Sequence, residues 1–411
     1  MAMDEWEGRL RVAMFTNVYL PSTNGVVVSV EAFRRALTKL GHDVFIFGPD
    51  SGDIEDRAPY VFRYPAVELP LQKYPLTLPV SPYVDRLLGN LKPHVLHANH
   101  PALLGRVAAR KSEQLDLPLV FTYHTRYTDY SHYAKPFPED KVKDFIAHWL
   151  ASFMTKCHHV VVPSQSIKKI LNQRYGLDAQ VSVVPTGIEL EKFAACSRAE
   201  ARRKLGWRED EKILISVGRL AKEKNFDLLL EAVGRADPQL RLIIVGSGDE
   251  QTHLEELARS LGLAERVTFT GVVAFGDIPV YLAASDLFVF ASVTETQGLV
   301  TLEAMASGLP VVAVDASGTR DAVCPGCSIL TEADPQALAQ GITQMLGRGD
   351  LHQESETARE RAGKFSLISQ GQAMVEVYRR AQEAHLNNSR VLLDTRESQS
   401  RWQEFLDFFR L

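Results

Sequence analysis

Residues 293–310 read VTETQGLVTLEAMASGLP, and this stretch decides the fold. It lies between two short apolar runs, residues 287–291 and 311–314, whose length and β-branched or aromatic content predict buried strands. The middle is then a loop followed by a helix, which Gly308 and Pro310 end. A strand followed by a loop, a helix and another strand is typical of an α/β protein with a parallel sheet.

The start of that helix is a candidate anion-binding site. The backbone N–H groups of Gly298, Leu299 and Val300 are expected to point into open space, where they attract phosphate. Glu295 precedes the helix, and the helix dipole favours a carboxylate there in any α/β protein. Glu303 is different, because its apolar neighbours predict a mostly buried helix, in which an unpaired carboxylate is costly.

The text from Glu295 to Gly308 resembles the Glu-x7-Glu signature of a known family, the retaining glycosyltransferases of family 4, which use nucleotide sugars. The resemblance implies an α/β protein with the GT-B fold, in which two tandem Rossmann-like, doubly wound domains enclose a cleft. It implies that Glu303 holds the donor ribose and that Glu295 contacts the transferred sugar. The amides of residues 298–300 would bind oxygens of the donor diphosphate.

The chain length and the amino-acid composition indicate a soluble globular protein of two domains. The chain has 411 residues, of which 45% are hydrophobic and 24% charged, so it exceeds one ordinary domain and has no bias towards disorder. Residues 1–7 are acidic and lack the order of a signal peptide, and no apolar run approaches the ~18 residues that span a bilayer. We therefore expect a cytoplasmic protein, with peripheral contact to an anionic membrane as a further hypothesis, and no nucleic-acid partner.

The four cysteines are too few and too scattered for a disulfide framework. Cys324 and Cys327 form a C-x-x-C, whose Pro-Gly centre is typical of a turn between a helix and the strand at residues 328–330. Half of a zinc site and a redox pair are the less favoured alternatives.

The chain opens with a strand at residues 11–16, a helix that Gly41 ends, and a strand at residues 44–47. The loop between the first strand and the helix lacks the G-x-G-x-x-G of dinucleotide binders, which argues against a dehydrogenase. In the family that the chain resembles, a Gly-Gly or similar loop here lets the backbone approach the donor phosphate and the acceptor. Gly25 matches that loop, and Asn24 departs from the commoner Gly.

Histidines gather at the ends of two predicted strands, residues 95–98 and 119–123. Because both ends lie at the carboxyl edge of a parallel sheet, His97, His100 and His124 belong to the edge where open α/β folds bind ligands. No carboxylate or cysteine occurs at metal-ligand spacing, so we expect no metal site.

His124 belongs to residues 122–133, which read TYHTRYTDYSHY. This segment resembles one found in bacterial glycosyltransferases that act on diacylglycerol. The resemblance implies that His124 faces the donor sugar and the reaction centre. An imidazole can hydrogen-bond a sugar hydroxyl or the leaving phosphate, and its ordinary titration range suits pH 7. A purely structural histidine at a strand end is the alternative.

A basic pair, Arg219 and Lys224, follows the predicted strand at residues 213–217. Cations at the carboxyl end of a strand stabilise the charge that develops on a departing phosphate. The two residues match the basic pair with which the resembled family holds the donor diphosphate.

The alternation of predicted strands and helices divides the chain into three parts. Residues 1–190 are predicted to form an acceptor-binding Rossmann-like domain, and residues 191–368 a nucleotide-sugar-binding one. In residues 369–411 we expect a helix that crosses back to the first domain, and then an amphipathic tail. Residues 69–78 form a predicted apolar loop that covers the core or contacts lipid, and residues 141–157 form an amphipathic helix.

The sequence therefore predicts a hexosyltransferase that retains configuration and needs no metal or other cofactor. Its co-substrate would be a nucleoside diphosphate sugar, with UDP-glucose as the first choice, and its acceptor a lipid such as diacylglycerol. A polyprenyl-linked or soluble sugar acceptor remains the alternative within the family. A nucleotide-sugar 2-epimerase and a noncatalytic nucleotide-sugar binder are more remote alternatives.

Overall fold

The computed structural model describes residues 8–22, 24–50, 59–67, 76–129, 138–177, 180–274 and 276–393. The chain forms two compact units. Unit 1 comprises Met1–Gly187 and Leu367–Leu411, and unit 2 comprises Ile188–Ser366.

Unit 1 is built on a parallel sheet. Its strands are β1 (Arg11–Phe15), β2 (Asp43–Pro49), β3 (Val61–Tyr64), β4 (Ala66–Val67), β5 (Leu76–Thr77), β6 (Val95–Ala98), β7 (Leu119–Thr122), β8 (His159–Val162) and β9 (Val181–Val183). Its helices are α1 (Gly25–Lys39), α2 (Pro82–Leu91), α3 (Leu104–Leu115), α4 (Glu139–Met154), α5 (Gln165–Tyr175) and α15 (Leu367–Leu386). The sheet order is β3-β2-β1-β6-β7-β8-β9, and β4 pairs with β5 in a separate antiparallel ribbon.

Both faces of this sheet are covered, as expected when strands are apolar along their whole length. In β1, Val12 and Met14 pack into a core with α1 and α15, whereas Ala13 and Phe15 pack into a core with α3, α4 and α5. The C-terminal helix α15 therefore belongs to the core of unit 1, where Gly371 leaves room for the side chain of Ala36 on α1.

Unit 2 repeats the plan. Its strands are β10 (Lys212–Val217), β11 (Leu240–Val245), β12 (Val267–Phe269), β13 (Leu287–Phe290), β14 (Val311–Val314) and β15 (Ser328–Thr331). Its helices are α6 (Leu190–Phe193), α7 (Arg198–Leu205), α8 (Phe226–Arg235), α9 (Gln251–Ser260), α10 (Ile278–Ala283), α11 (Leu299–Ala306), α12 (Ser317–Ala322), α13 (Pro335–Leu346) and α14 (His352–Gly363). The strands are parallel, in the order β12-β11-β10-β13-β14-β15, with helices packed on both faces.

The order of strands reverses once in each sheet. In unit 1 the reversal lies between β1 and β6, and in unit 2 between β10 and β13. Loops that follow these neighbouring strands diverge to opposite faces and leave a crevice at the carboxyl edge, where open α/β sheets bind ligands. The two Rossmann-like units of the predicted fold class are confirmed.

Residues 185–198 contain α6 and the start of α7. Ser197 and Glu200 form a capping box at α7, a local signal that the sequence carried. Residues 76 and 77 of the predicted loop form β5 instead, because they pair with β4. The remaining part of that loop up to residue 75, residues 130–133 of the histidine segment, and the tail beyond residue 393 lie outside the described residues.

No helix of the described residues is long and apolar enough to cross a membrane. The predicted amphipathic helix is α4, whose Phe153 is buried in the core of unit 1, whereas Phe145 is 45% exposed.

Candidate functional site

The loop between β13 and α11 ends at Gly298, directly before the start of that helix. Gly298 adopts the left-handed conformation, with φ 75°, and α11 begins at the next residue. The first N–H groups of a helix have no intrahelical acceptor, so those of Leu299 and Val300 are available to an anion. The hydroxyls of Thr301 and Thr319, both fully buried at this point, have no hydrogen-bond partner within the described part of the chain.

The start of α12 packs against this loop and hydrogen-bonds its backbone. The backbone N–H of Gly318 and the hydroxyl of Ser317 both donate to the carbonyl oxygen of Glu295, each at 3.0 Å. A Cβ at residue 318 would lie 2.5 Å from the backbone nitrogen of Gln297, so only glycine fits against the loop. The position of Glu295 thus depends on α12.

Glu303 is buried on α11, with 6% of its surface exposed. Among the described residues, no group hydrogen-bonds or ion-pairs with its carboxyl. Burial without compensation disfavours the charged form and raises the pKa of Glu303 to about 7. A buried polar group without a partner requires an explanation, and a ligand that supplies hydrogen bonds is the usual one.

The loop after β10 carries the predicted basic pair, and each cation has an acidic partner. Lys224 forms an ion pair with Glu295, and Arg219 forms one with Glu223. The buried hydroxyl of Ser292 links the two loops, because it lies 3.0 Å from the Glu295 carboxylate and 3.3 Å from the carbonyl oxygen of Glu223. The structure therefore brings Lys224 and Glu295 together, although 71 residues separate them in the chain.

Glycines position the basic loop. Gly246 has φ 138°, and a side chain there would collide with the carbonyl of Gly218. Gly248 likewise faces the carbonyl of Leu220, whose N–H donates to the carbonyl of Ser247 at 3.0 Å. These close contacts fix the backbone on both sides of Arg219.

In unit 1, the loop after β1 leads to the start of α1. The side chain of Asn24 accepts hydrogen bonds from the N–H groups of Val26 and Val27, each at 3.0 Å. The departure from Gly at this position thus supplies a helix cap. A Cβ at Gly25 would meet nothing within 4 Å, so no packing constraint within the described residues requires glycine there.

His124 follows β7 and hydrogen-bonds Asn99, which follows the adjacent strand β6. The His124 Nε2 lies 2.9 Å from the Asn99 Oδ1, and the amide nitrogen of Asn99 is 3.4 Å from the carbonyl oxygen of Phe15. This arrangement makes Nε2 the protonated nitrogen. Burial, with His100 and His97 nearby, holds the pKa of His124 well below its usual range, so the expected titration near pH 7 is wrong and the imidazole is neutral.

The other clustered histidines have structural roles. His97 bridges the hydroxyls of Tyr378 on α15 and Thr122 on β7, at 2.9 and 2.6 Å, and His100 accepts from the N–H of Asn17 at 3.1 Å. Nowhere in the described ranges do three or more His, Cys, Asp or Glu side chains form a group that could hold a metal ion.

Four supporting residues were missed by the sequence reasoning: Asn99, Glu223, Ser292 and Gly318. Asn99 follows the buried strand β6 directly and Ser292 is the second residue after the buried strand β13, positions that could have indicated them. Glu223 lies four residues after Arg219, a short spacing that could have indicated their ion pair, whereas no local pattern records the contact of Gly318 with residues 295–297.

Two family profiles match the chain. Residues 23–192 match the family described as Glycosyltransferase Family 4, and residues 197–364 match Glycosyl transferases group 1. The first match contains Gly25 and His124, and the second contains Arg219 and both glutamates of the signature.

The chain is also similar in sequence or in structure to individual glycosyltransferases. The chain is 32% identical to alpha-monoglucosyldiacylglycerol synthase of Acholeplasma laidlawii, over 74% of this chain and 80% of the relative. It is 29% identical to GDP-mannose-dependent alpha-mannosyltransferase of Corynebacterium glutamicum, over 77% and 75%. Among solved structures, Anabaena HepE in complex with UDP and glucose superposes with a TM-score of 0.72, at 22% identity over 89% of this chain and 98% of that one.

Proposed function

The chain belongs to the GT-B glycosyltransferases of group 1 and family 4, and from this premise we propose that it transfers glucose from UDP-glucose to a lipid acceptor such as diacylglycerol, with retention of configuration. We assign the nucleotide-sugar donor to residues 191–368 and the acceptor to residues 1–190. Similar identity to a mannosyltransferase makes GDP-mannose the donor to test beside UDP-glucose.

The observation that carries the proposal is the buried carboxyl of Glu303, which has no hydrogen-bond or ion-pair partner among the described residues. Two neighbouring hydroxyls of a ribose can both donate to one carboxylate, which would satisfy its oxygens. Binding would also stabilise the ionised form of Glu303, since charge-assisted hydrogen bonds are the stronger ones.

The diphosphate of the donor would bind the basic loop and the start of α11. Arg219 and Lys224 already sit in ion pairs with Glu223 and Glu295, so a diphosphate would compete with these carboxylates for the cations. Lys224 would then release Glu295, whose carboxylate could turn to the transferred sugar. Together with the amides of residues 298–300, the cations would stabilise the leaving diphosphate.

In unit 1, we assign His124 to a hydroxyl of the transferred sugar. Its neutral imidazole, protonated at Nε2 and held by Asn99, carries no charge to repel a cationic transition state. Gly25 would let the backbone approach the donor phosphate and the acceptor, a role consistent with the open space around its Cα.

Retention and metal independence are part of the proposal. The leaving diphosphate itself would deprotonate the acceptor hydroxyl on the face that it vacates, so the new bond forms where the old one broke. Two cations and helix amides would supply the positive charge at the diphosphate. The nuclear magnetic resonance coupling of the product's anomeric proton tests retention, and activity in excess chelator tests metal independence.

A lipid acceptor agrees with exposed apolar groups on unit 1. Val80 is 67% exposed and Tyr83 is 72% exposed, close to the exposed side chain of Arg86 on α2. Apolar groups next to cations favour the surface of an anionic bilayer. We propose that the enzyme works peripherally at the cytoplasmic face, which sedimentation with anionic and neutral vesicles tests.

The decisive assay measures release of nucleoside diphosphate by the purified protein, with and without diacylglycerol in mixed micelles that contain anionic lipid. UDP-glucose and GDP-mannose are offered in parallel. Glu295→Ala removes the proposed sugar contact, and Glu332→Ala is the matched control on an exposed part of unit 2.

Release that requires both diacylglycerol and Glu295 supports the lipid glucosyltransferase. Release without regard to lipid refutes the diacylglycerol assignment and favours a soluble or polyprenyl-linked acceptor. Conversion of the donor with no acceptor and no transferred sugar points instead to the 2-epimerase.

A further inference from the structure

The turn between α12 and β15 brings two thiols together. The Sγ atoms of Cys324 and Cys327 lie 3.2 Å apart. Pro325 and Gly326 occupy the centre of the turn, and Gly326 has φ 99°, the conformation that a type II turn requires at its third residue. Such a turn holds its first and last Cα atoms within about 7 Å, which is close to the range of disulfides.

The two thiols differ in surroundings. Cys327 is fully buried in the core of unit 2, and its carbonyl accepts from the N–H of Val311 on β14 at 2.9 Å, so its backbone is fixed. Burial raises the pKa of the Cys327 thiol to about 12. Cys324 is only partly buried and lies nearer to solvent. Cys324 is therefore the thiol that a reagent reaches first.

The turn is connected to the proposed donor site through a short helix. α12 has six residues, so its start and its end are less than two turns apart. Its start packs on the backbone of residues 295–297, with no room for a side chain at Gly318. At its end, Arg361 on α14 donates to the carbonyl of Ala322 at 2.8 Å. α12 therefore joins the cysteine turn to the loop that carries Glu295.

We propose that Cys324 and Cys327 are a reversible redox site, which forms an intrachain disulfide and thereby weakens binding of the nucleotide donor. The consequence for the donor rests on the proposed function, whereas the disulfide itself does not. The oxidant is a small or protein disulfide. The Cys324 thiolate attacks one sulfur of that disulfide and releases a thiol, and Cys327 then attacks Cys324 and releases the second thiol.

The step balances, since two protein S–H groups lose two protons and two electrons and one disulfide becomes two thiols. The Sγ atoms must approach from 3.2 Å to about 2.0 Å. Because Cys327 is fixed by β14, most of this movement falls on Cys324 and on the end of α12. The loop at residues 293–300 is expected to loosen as a result.

The reduced protein is equilibrated in glutathione buffers with a rising share of glutathione disulfide, then quenched and denatured, and free thiols are alkylated in denaturant before mass spectrometry. We expect the peptide with Cys324 and Cys327 to lose two hydrogens in one two-electron transition, while Cys157 stays alkylatable. Hydrogen exchange at residues 293–300 should become faster on oxidation and slow again with dithiothreitol. The Kd for UDP should rise several-fold in parallel.

Cys196→Ser, which alters a cysteine elsewhere in unit 2, is the matched control and should keep the whole response. Cys324→Ser should abolish the disulfide and the change in exchange. Two outcomes overturn the proposal: Cys327 that stays alkylatable in full oxidant, or a disulfide that leaves exchange at residues 293–300 unchanged. If neither form binds UDP but exchange still responds, the donor assignment fails and the redox site stands.

Discussion

Replacing Glu303 by Gln should stabilise the protein while it impairs donor binding. In the folded chain the pKa of Glu303 is raised from 4.5 to about 7, because the carboxyl is buried. Because this pKa is raised on folding, the carboxyl's contribution to the free energy of unfolding is intact below pH 4.5 and is lost as the pH rises through 7. The difference of about 2.5 pH units corresponds to about 3 kcal/mol at pH 8, a loss that a neutral Gln of the same shape avoids.

Differential scanning calorimetry at pH 8 and pH 5 measures this effect. For a unit of this size, about 3 kcal/mol raises the melting temperature of unit 2 by roughly 6–12 °C at pH 8. The gain should shrink to about 0.8 kcal/mol at pH 5, because the folded carboxyl is almost wholly neutral there and the pH is only about 0.5 above the unfolded pKa of 4.5. Glu332→Gln, an exposed control in the same unit, should change stability by less than about 0.5 kcal/mol at either pH.

The same variant should bind UDP at least about tenfold more weakly, since hydrogen bonds to a charged acceptor contribute roughly 1.5–3 kcal/mol each. Isothermal titration calorimetry provides the comparison. A Glu303→Gln protein that melts at or below the wild-type temperature at pH 8 would refute the argument that an uncompensated buried carboxyl destabilises unit 2. Unchanged UDP affinity would remove Glu303 from the donor site.

Three further predictions concern unit 1. Gly25→Ala should leave the melting temperature unchanged or slightly raised, because the added Cβ meets nothing within 4 Å. The variant should nevertheless lose transferase activity at least about tenfold, and activity equal to that of the wild type would show that no ligand approaches Gly25. Asn99→Ala should lower kcat about tenfold with little change in donor KM, because it frees the His124 imidazole, and Asn99→Asp should recover part of the loss. Acid should destabilise unit 1, since the pKa of buried His97 is lowered to about 3 and that of His158 to about 4. The stability of unit 1 is complete above pH 6.5 and falls by about 2 kcal/mol per histidine at pH 5. Hydrogen exchange in β6 and β8 measures this loss, and His97→Gln should remove the part of it that is due to His97.

Much of the architecture was predictable because it depends on local patterns. The apolar runs that became β13 and β14, the helix between them and the glycine that ends it are each specified within a few neighbouring residues. The N-caps of α2 and α5, at Ser81 and Ser164, are equally local. Resemblance in residues 295–308 then indicated the family, which the profile matches confirm.

What the amino-acid sequence determined by itself is thus the alternation of strands and helices, the family and the identity of the polar residues that follow each strand. Only the tertiary structure decided how those residues meet: Lys224 with Glu295, Asn99 with His124, and Gly318 against the signature loop. The reason is that neighbouring strands bring the loops after them to one edge of the sheet, and the reversal of strand order between β10 and β13 does so for loops far apart in the chain. Desolvation likewise depends on all surrounding elements, so the raised pKa of Glu303 and the lowered pKa of His124 were beyond any local pattern.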